Sequence, residues 1–290
     1  MNDHDAKPAC DQAIAEARGL LGRADRVLIG AGAGLSTAAG ITYGGPRFEQ
    51  RFRSFIERYG MTDMYSAGFY PFPTEEDRWA YWAEHVWANR YEPPALPLYE
   101  SLFDFVRGKD YFVITTNVDA QFQKAGFASE RLFATQGDYG LNQCQRGCHD
   151  RLYPNRDLVD AIRAATRNGE ETRAPSALVP RCPVCGGPMA VHLRVDGRFV
   201  EDAAWHEAEQ RYRAFVAALA EKPEGSVLLE LGVGWNTPVI IRFPFEQLAA
   251  ATGAPLIRMN YDDARIDSRR IPHGVGLQGD LAALWPRVAK

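Results

Sequence analysis

Short runs rich in hydrophobic residues recur along the chain, at 26–30, 111–115, 131–135, 226–233 and 255–260. Each run is apolar on both faces, as parallel strands covered by helices should be. Stretches with helical periodicity precede or follow these runs, at 9–22, 96–107, 119–125, 203–220 and 244–252. The alternation predicts an α/β fold built on a Rossmann-like, doubly wound parallel sheet.

Two stretches interrupt this alternation, and they define the predicted domains. Residues 44–107 form a helical insertion rich in aromatic side chains, and residues 137–200 form a second insertion that contains four of the five cysteines. The remaining segments, 1–43, 108–136 and 201–290, make up a discontinuous Rossmann-like domain. We expect the two insertions to form a smaller domain beside it.

The helical insertion carries a periodic aromatic stripe. Thr74 is expected to cap a helix, with Asp77 at the capping-box position. The helix that follows places four apolar side chains on one side: Trp79, Trp82, Val86 and Trp87. Packing in a core explains such a stripe most simply.

Composition narrows this picture by exclusion. A formal charge of −4 and a pI near 5.9 argue against a nucleic-acid-binding protein, which usually carries a basic surface. The N-terminal residues lack the basic and apolar regions of a signal peptide, and the most apolar stretch, 226–235, is too short to span a membrane. We expect a cytoplasmic protein whose cysteines bind metal or stay free, with Cys10 a small apolar residue of the first helix.

The cysteines of the second insertion form two close pairs. One pair is separated by three residues, and the other lies in a CPVCGG turn. Two such turns supply the four thiolates of a tetrahedral zinc site, and complete coordination by sulfur indicates a structural role. The expected ligands are Cys144, Cys148, Cys182 and Cys185. His149 and His192 are alternatives for one of these positions.

The first strand ends in a Gly-rich turn, GAGAGLS, with glycines at positions 30, 32 and 34. Glycine lets the backbone turn sharply and approach a phosphate, and the helix that follows presents free N–H groups to an anion. A complete dinucleotide fingerprint would need glycine at position 35, where the chain has Leu35. Taken alone, the turn favours nucleotide binding only weakly.

A second polar segment, TTNVDAQ, follows the strand at 111–115. Doubly wound sheets bind ligands at this carboxyl edge, so Asn117 and Asp119 are expected to face a cleft. Each residue also has a structural alternative. Asn117 is a common turn former, and Asp119 is a common helix N-cap.

Together these segments resemble the sirtuin family, in the family's order and across nearly the whole chain. The similar motifs are GAGLSTAAGI at 32–41, TNVD at 116–119, LGVGWNTP at 231–238, RMN at 258–260 and LQGD at 277–280. The resemblance implies NAD as cofactor, zinc at the cysteine pairs, and a nicotinamide pocket at Asn117 and Asp119. It implies NAD contacts from Gly32, Ala33, Gly34, Ser36, Tyr43, Arg47, Thr116, Gly232, Gly234, Asn260 and Gln278.

Departures from the family pattern narrow the resemblance further. Gln136 and Gly137 stand where typical sirtuins have His-Gly, and YGGPRF at 43–48 replaces a segment that contains Asp. These features are similar to the macrodomain-linked (class M) sirtuins, a branch associated with protein ADP-ribosylation. The branch implies an acceptor resembling the lipoylated glycine-cleavage H protein, and a macrodomain protein that reverses the modification.

Gln136 separates two chemistries. Cleavage of the nicotinamide–ribose bond needs a pocket for the nicotinamide amide but no general base. Deacylation also requires a ribose hydroxyl to lose its proton, and a carboxamide cannot accept one. We therefore expect Asn117, Gln136 and Asp119 to catalyse transfer of ADP-ribose to a protein side chain, with Gln136 orienting the ribose. A plain turn residue is the structural alternative for Gln136.

Two other functions remain open. An active NAD-dependent deacylase would need Asp138 or a chain of waters in place of the histidine. A non-catalytic NAD-binding module would use the cysteine-bearing insertion to recruit a partner and would release no nicotinamide.

Overall fold

The computed structural model describes residues 10–290, and residues 1–9, where the first Rossmann segment and the 9–22 helix were predicted to begin, lie outside the described part of the chain. Helix α1 (Asp11–Arg23) confirms most of that helix. Cys10 is exposed, and its Sγ accepts a hydrogen bond from the Ala13 amide at 3.5 Å. The expectation that Cys10 is an apolar helix residue is therefore wrong, because it caps the helix N-terminus instead.

Within residues 10–290 the strands form two sheets. In chain order they are β1 (Arg26–Ala31), β2 (Asp110–Thr115), β3 (Leu132–Ala134), β4 (Gly137–Cys144), β5 (Tyr153–Pro154), β6 (Met189–Leu193), β7 (Ser226–Leu231), β8 (Leu256–Asn260) and β9 (Gly274–Gln278). The larger sheet is parallel, in the order β3-β2-β1-β7-β8-β9, and confirms the predicted Rossmann-like α/β fold. The smaller sheet, β5-β4-β6, is antiparallel and lies within the cysteine-bearing insertion.

The helices surround and connect these sheets. After α1 they are α2 (Ala33–Ala38), α3 (Pro46–Arg51), α4 (Arg53–Tyr59), α5 (Met64–Ala67), α6 (Glu75–Val86), α7 (Pro97–Val106), α8 (Gln121–Lys124), α9 (Arg156–Ala165), α10 (Ala203–Glu221), α11 (Arg242–Thr252) and α12 (Leu281–Val288). A π-helical turn, Trp87–Tyr91, continues α6, and two short 3-10 turns cover Ser129–Arg131 and Ser176–Leu178. No helix within residues 10–290 is long and apolar enough to cross a membrane.

Sequence periodicity located five strands of the large sheet and missed the sixth. Strand β9 alternates glycine with apolar residues, so it forms no continuous hydrophobic run. The helix predicted at 119–125 is only the four residues of α8, because Ala120 adopts a left-handed conformation with φ of 56°.

Strands β7 and β8 are not apolar on both faces, contrary to expectation. Glu230 and Arg258 are opposite each other in register, and both side chains are fully buried. Arg258 donates to the two carboxylate oxygens of Glu230 at 2.7 and 2.8 Å, and also contacts Glu246 at 2.9 Å. The bidentate geometry satisfies charges that would be costly to bury alone.

The aromatic stripe packs in a core, as the periodicity predicted. Trp79, Trp82 and Val86 are buried, and Trp87 is half-buried. The opposite side of α6 is buried too, where Glu84 accepts hydrogen bonds from two arginines of neighbouring elements. Helix α6 is therefore the centre of the helical insertion rather than its surface.

Two turns of the Rossmann-like domain meet through glycine backbones. The Gly34 amide donates to the Gly232 carbonyl at 2.9 Å. A Cβ on Gly34 would lie 2.8 Å from the Gly232 Cα, and a Cβ on Gly232 would lie 2.3 Å from the Leu35 nitrogen. Gly232 also has φ of 61°, a conformation that other residues rarely adopt. Only glycine lets the end of β7 pack against the start of α2.

We predict that Gly232→Ala lowers the free energy of unfolding by about 2 kcal/mol or more, since the added methyl meets backbone atoms and the φ is strained. Gly234→Ala is the matched control, because nothing lies within 4 Å of a Cβ built there. Its effect should stay below about 1 kcal/mol. Urea unfolding of both variants tests this contact, and equal losses would contradict it.

Candidate active site

A cavity of about 420 Å³ opens at the carboxyl ends of β1, β2 and β3, and we call it the cleft. Seven predicted site residues line it: Ala33, Ser36, Tyr43, Thr116, Asn117, Asp119 and Gln136. The helical insertion, the end of β6, and Asn236 and Thr237 after β7 form further parts of its walls. The cleft therefore lies at the edge where parallel sheets of this type bind ligands.

A buried hydrogen-bond network joins the first two strand ends below the cleft. Ser36 Oγ donates to Asp119 Oδ2 at 2.5 Å and lies 2.8 Å from the Tyr99 hydroxyl. The Asn117 side-chain amide donates to the Gly32 carbonyl at 3.0 Å and lies within 3.2 Å of Ser36 Oγ and the Tyr99 hydroxyl. Asn117 is thus held by tertiary contacts, and its position in the cleft wall depends on both segments.

Asp119 is a buried carboxyl group that lines the cleft and accepts two hydrogen bonds. Burial raises its pKa, while the hydrogen bonds from Ser36 and from the Gln121 amide act in the opposite direction. Ala120, not Asp119, precedes helix α8 as its N-cap residue. The helix N-cap interpretation of Asp119 is confirmed only in part, because its Oδ1 accepts from the amide of Gln121, the first residue of α8, at 3.0 Å from one position earlier than the N-cap. Its Oδ2 also links α2 to the loop after β2 through Ser36.

Gln136 lies in the turn between β3 and β4, and its side chain lines the cleft. Its backbone carbonyl accepts a hydrogen bond from the Arg194 amide at 3.0 Å. Within residues 10–290 its carboxamide has no hydrogen-bond partner, and the side chain is half-buried. The donor and acceptor of this amide are therefore available to a ligand in the cleft.

The four cysteines of the second insertion converge on one point. Their Sγ atoms all lie within 4.8 Å of one another. Two of the sulfur–sulfur distances, Cys144 to Cys185 and Cys148 to Cys182, are 3.7 Å. A tetrahedral zinc ion with Zn–S bonds of about 2.3 Å requires separations of about 3.8 Å, so the donor set fits zinc.

One thiol of this cluster is set up to ionise. Burial opposes ionisation of Cys144, but hydrogen bonds from the Cys148 and Arg146 amides outweigh it and bring the pKa to about 6. Thiolates are the form that binds zinc. His149 Nε2 lies 3.3 Å from Cys182 Sγ without being one of the converging ligands, and His192 Nε2 donates to the Val200 carbonyl at 2.9 Å instead.

Three known proteins are similar in sequence to this chain over most of its length, although no family model matches the chain. A protein ADP-ribosyltransferase of Staphylococcus aureus is 35% identical over 270 residues, which cover 92% of this chain and 84% of that protein. A probable bifunctional ADP-ribose hydrolase/ADP-ribosyltransferase of Fusarium oxysporum is 34% identical over 286 residues, covering 93% of this chain and 46% of that protein. An NAD-dependent protein deacylase of Thermus thermophilus is 27% identical over 252 residues, covering 85% of this chain and 84% of that protein.

The fold of the chain matches solved structures over nearly its full length. A structure of Sir2Tm bound to a propionylated peptide superposes with a TM-score of 0.61 at 16% identity, covering 94% of this chain and 96% of that one. The chain belongs to the sirtuin family. Among the relatives described above, this sirtuin is more similar to the two ADP-ribosyltransferases than to the deacylase.

Several residues implied by the sirtuin motifs do not line the cleft. Gly32, Gly34 and Gly232 form the backbone contact between the two turns. Asn260 and Gln278 are paired at the ends of β8 and β9, where each side-chain amide donates to a loop carbonyl. Their roles toward NAD stay predictions, as does that of Gly234, which has open space around it.

Arg47 is directed into the helical insertion of this sirtuin. Its guanidinium donates to the carbonyls of Thr42 and Ala88 at 2.8 and 2.6 Å, and to the Asn89 side chain at 2.9 Å. It is absent from the residues that line the cleft. The contacts show that Arg47 holds the segments of the insertion together, and its contact with NAD stays a prediction.

Several polar or aromatic residues at or beneath the cleft were not predicted from the sequence, and five of them bear on its chemistry: Trp82, His85, Tyr99, Tyr139 and Arg194. All five lie in the two insertions, 44–107 and 137–200, where the sirtuin motifs gave no role for them. Tyr99 was visible only as an apolar position of α7. A polar residue on the buried stripe of α6 was the one available signal, and it pointed to His85.

Arg194 brings a cation to the cleft wall of this sirtuin. Its guanidinium donates to Glu201 at 2.6 Å and lies 4.1 Å from the centre of the Phe199 ring. The side chain follows β6 directly, so the small sheet positions it. Through this residue the cysteine-bearing insertion contributes to the same cleft as the large sheet.

His85 makes the stability of this sirtuin depend on pH. Burial lowers its pKa from 6.5 to about 3, so the folded protein keeps it neutral where the unfolded chain takes up a proton. The free energy of unfolding should therefore fall as the pH drops below 6.5, by about 2 kcal/mol at pH 5. Urea unfolding at pH 7 and pH 5 measures this change. In His85→Phe, the free energy of unfolding should fall between these two pH values by about 2 kcal/mol less than it does in the wild-type protein. An identical loss would contradict the assignment.

The cysteine cluster predicts one zinc ion per chain with a structural role. Cys182→Ser should lose the metal and unfold at a lower temperature, because structural zinc stabilises such modules by up to the order of 10 kcal/mol. Cys10→Ser is the matched control, since Cys10 is exposed and outside the cluster. Metal analysis and thermal unfolding measure both effects, and a zinc-free wild-type protein of equal stability would refute the prediction.

Proposed function

We propose that this sirtuin is an NAD-dependent protein ADP-ribosyltransferase. The observation that carries the proposal is the unpartnered carboxamide of Gln136 in the wall of the cleft that contains Asn117. A group there can orient hydroxyls but cannot remove a proton. The similarity to two proteins named as ADP-ribosyltransferases supports the same conclusion.

The reaction needs one bond to break and one to form at the ribose C1′ of NAD. The bond from C1′ to the nicotinamide nitrogen breaks, and its electron pair neutralises the pyridinium ring. A nucleophile of the acceptor protein, for which a carboxylate is suited, donates the pair that forms the new bond to C1′. Asn117 and Asp119 bind the nicotinamide amide, and Gln136 holds the ribose in position. No step in this sequence requires a general base.

A deacylase would need a base that the cleft residues supply poorly. Asp138 was the sequence candidate, but its carboxylate accepts hydrogen bonds from Arg90 at 2.8 Å and from the Gly140 amide at 2.6 Å. It does not line the cleft. The pKa of His85, lowered to about 3, leaves a weak base at neutral pH. These contacts favour transfer over deacylation.

The proposed acceptor is a lipoylated carrier protein resembling the glycine-cleavage H protein, as the class M resemblance implies. A macrodomain protein is the proposed partner that removes ADP-ribose. The Fusarium relative carries an ADP-ribose hydrolase in its name beside the transferase, which supports a reversible modification. Apolar and aromatic side chains in the cleft wall, including Phe69, Trp82 and Leu193, suit an acceptor with a long aliphatic arm.

Adenine-labelled NAD tests the transfer. The protein, NAD and the lipoylated carrier are mixed, and label on the carrier is followed together with nicotinamide. Asn117→Ala should lose both products, and Gln136→Ala should lose about 10-fold or more in label transfer, since an orienting contact is removed. Label transfer by Gln136→Ala at the wild-type rate would overturn the role assigned to Gln136.

Parallel reactions separate the other functions. With an acetylated peptide in place of the carrier, loss of the acetyl group would establish a deacylase. Absence of nicotinamide in every reaction would establish a non-catalytic NAD-binding module. Ser66→Ala is a suitable control variant, because Ser66 is exposed and its contacts are confined to its own turn.

A further inference from the structure

One buried nitrogen in the cleft wall is left without a role by the proposed reaction. His85 is 1% exposed, and its ring lines the cleft. Its Nδ1 lies 3.0 Å from the Tyr81 hydroxyl, one turn earlier on α6. Its Nε2 has no hydrogen-bond partner within residues 10–290. Buried polar atoms are rarely left unpaired unless a ligand or water completes them.

The neighbouring contacts assign the proton on this ring. The Tyr81 hydroxyl also lies 3.1 Å from the Met64 carbonyl, which can only accept. Tyr81 has one proton, and donating it to that carbonyl leaves its oxygen to accept from Nδ1–H of His85. The Nε2 atom is then a bare acceptor, and it needs an N–H or O–H donor from the ligand.

Flat aromatic groups surround the ring. The ring centroids of Trp82, Tyr139 and Tyr43 lie 4.9, 5.0 and 5.6 Å from that of His85. The Tyr43 and Tyr139 hydroxyls are 3.0 Å apart and hydrogen-bond to each other. Tyr43, Trp82, His85 and Tyr139 all line the cleft, and we call them the aromatic cage.

The charges around the cage select the kind of ligand. Arg47 acts on His85 as a nearby positive charge, which disfavours a cationic ligand. A carboxylate offers no proton to a bare nitrogen acceptor, so it cannot satisfy Nε2. A neutral, planar group with an N–H donor fits both the flat walls and the acceptor. A carboxamide has this chemistry.

We propose that His85 is a specificity-determining residue whose Nε2 accepts a hydrogen bond from a neutral carboxamide bound in the aromatic cage. The inference deepens the proposed function and rests on it for the identity of the ligands. Two sources offer this group: the nicotinamide carboxamide of NAD, and the amide of an acylated lysine on the acceptor protein.

Binding measurements with His85→Phe test the proposal, because phenylalanine keeps a flat ring and removes the acceptor. The probes are ADP-ribose, which lacks the carboxamide, and carba-NAD, an uncleavable NAD analogue that keeps it. If the carboxamide is that of nicotinamide, His85→Phe should bind carba-NAD about tenfold more weakly than the wild type, which is the effect expected from one lost hydrogen bond. Its affinity for ADP-ribose should be unchanged. His85→Gln, which restores an acceptor oxygen, should recover part of the loss.

The second source has its own result. If the amide comes from an acylated lysine, both nucleotides bind His85→Phe normally, and an acyl-lysine peptide binds about tenfold more weakly. These binding assays need no turnover, so they stand even if the protein proves not to transfer ADP-ribose. No change for any probe would overturn the proposal. Equal weakening of carba-NAD and ADP-ribose without recovery in His85→Gln would overturn it too.

A matched control comes from a second buried histidine. His192 also has one unpartnered ring nitrogen, but it stacks on Phe199 and does not line the cleft. His192→Phe should leave the ratio of carba-NAD to ADP-ribose affinity unchanged. If His85→Phe does not fold, the ¹⁵N resonance of His85 Nε2 in the wild-type protein gives the answer. It should shift when nicotinamide or the acyl-lysine peptide is added, and a fixed resonance with both would refute the proposal.

Discussion

The backbone contact between Gly34 and Gly232 is the constraint on which the site depends. It brings the turn after β1 against the turn after β7, with an amide–carbonyl distance of 2.9 Å. Because that turn is fixed, the first residues of α2 face the end of β2, and Ser36 reaches Asp119 at 2.5 Å. A side chain at either glycine would separate the two turns and, with them, the two halves of this hydrogen bond.

Burial disfavours charge on several titratable groups at and beneath the cleft. Burial raises the pKa of Asp119 and of Tyr99 and lowers that of His85, so burial disfavours the charged form of each of these groups. Gln136 adds an amide that does not titrate in the same wall. Such a site suits a reaction in which NAD loses its own positive charge as nicotinamide leaves. It suits proton abstraction poorly, and this contrast underlies the preference for ADP-ribosyl transfer.

Both insertions contribute to the cleft as well as to stability. Helix α6 brings Trp82 and His85 from the helical insertion, and β6 leads into Arg194 from the cysteine-bearing insertion. The converging sulfur atoms lie in the same insertion as β6. We infer that zinc acts on the reaction only by holding this wall in place, since four sulfur ligands leave no position for a substrate.

Local sequence features predicted the parts of the structure that depend on residues close together in the sequence. Apolar runs located β1 and β7, and cysteine spacing located the four converging sulfur atoms. The ion pair between Glu230 and Arg258 could not be read in this way, because each residue interrupts its own apolar run and only the strand register pairs them.

The residues of the cleft show the same limit of prediction from local sequence. Asn117 and Gln136 follow predicted strands and were found, whereas His85 lies on a helix whose stripe reads as core packing. Its ring joins the cleft only through the tertiary contacts of Tyr43 and Tyr139. Cleft residues that lie in an insertion have no fixed sequence distance from the sirtuin motifs, so motif spacing cannot predict them.

ADP-ribosyl transfer is tested most directly by counting both products of one reaction. Wild-type protein is incubated with NAD, with and without the lipoylated carrier. Intact-mass spectrometry then counts ADP-ribose on the carrier, and chromatography counts free nicotinamide. ADP-ribosyl transfer to the carrier predicts equal amounts of the two products, and little nicotinamide when the carrier is left out. Nicotinamide released in excess, with no ADP-ribose on protein, would contradict it.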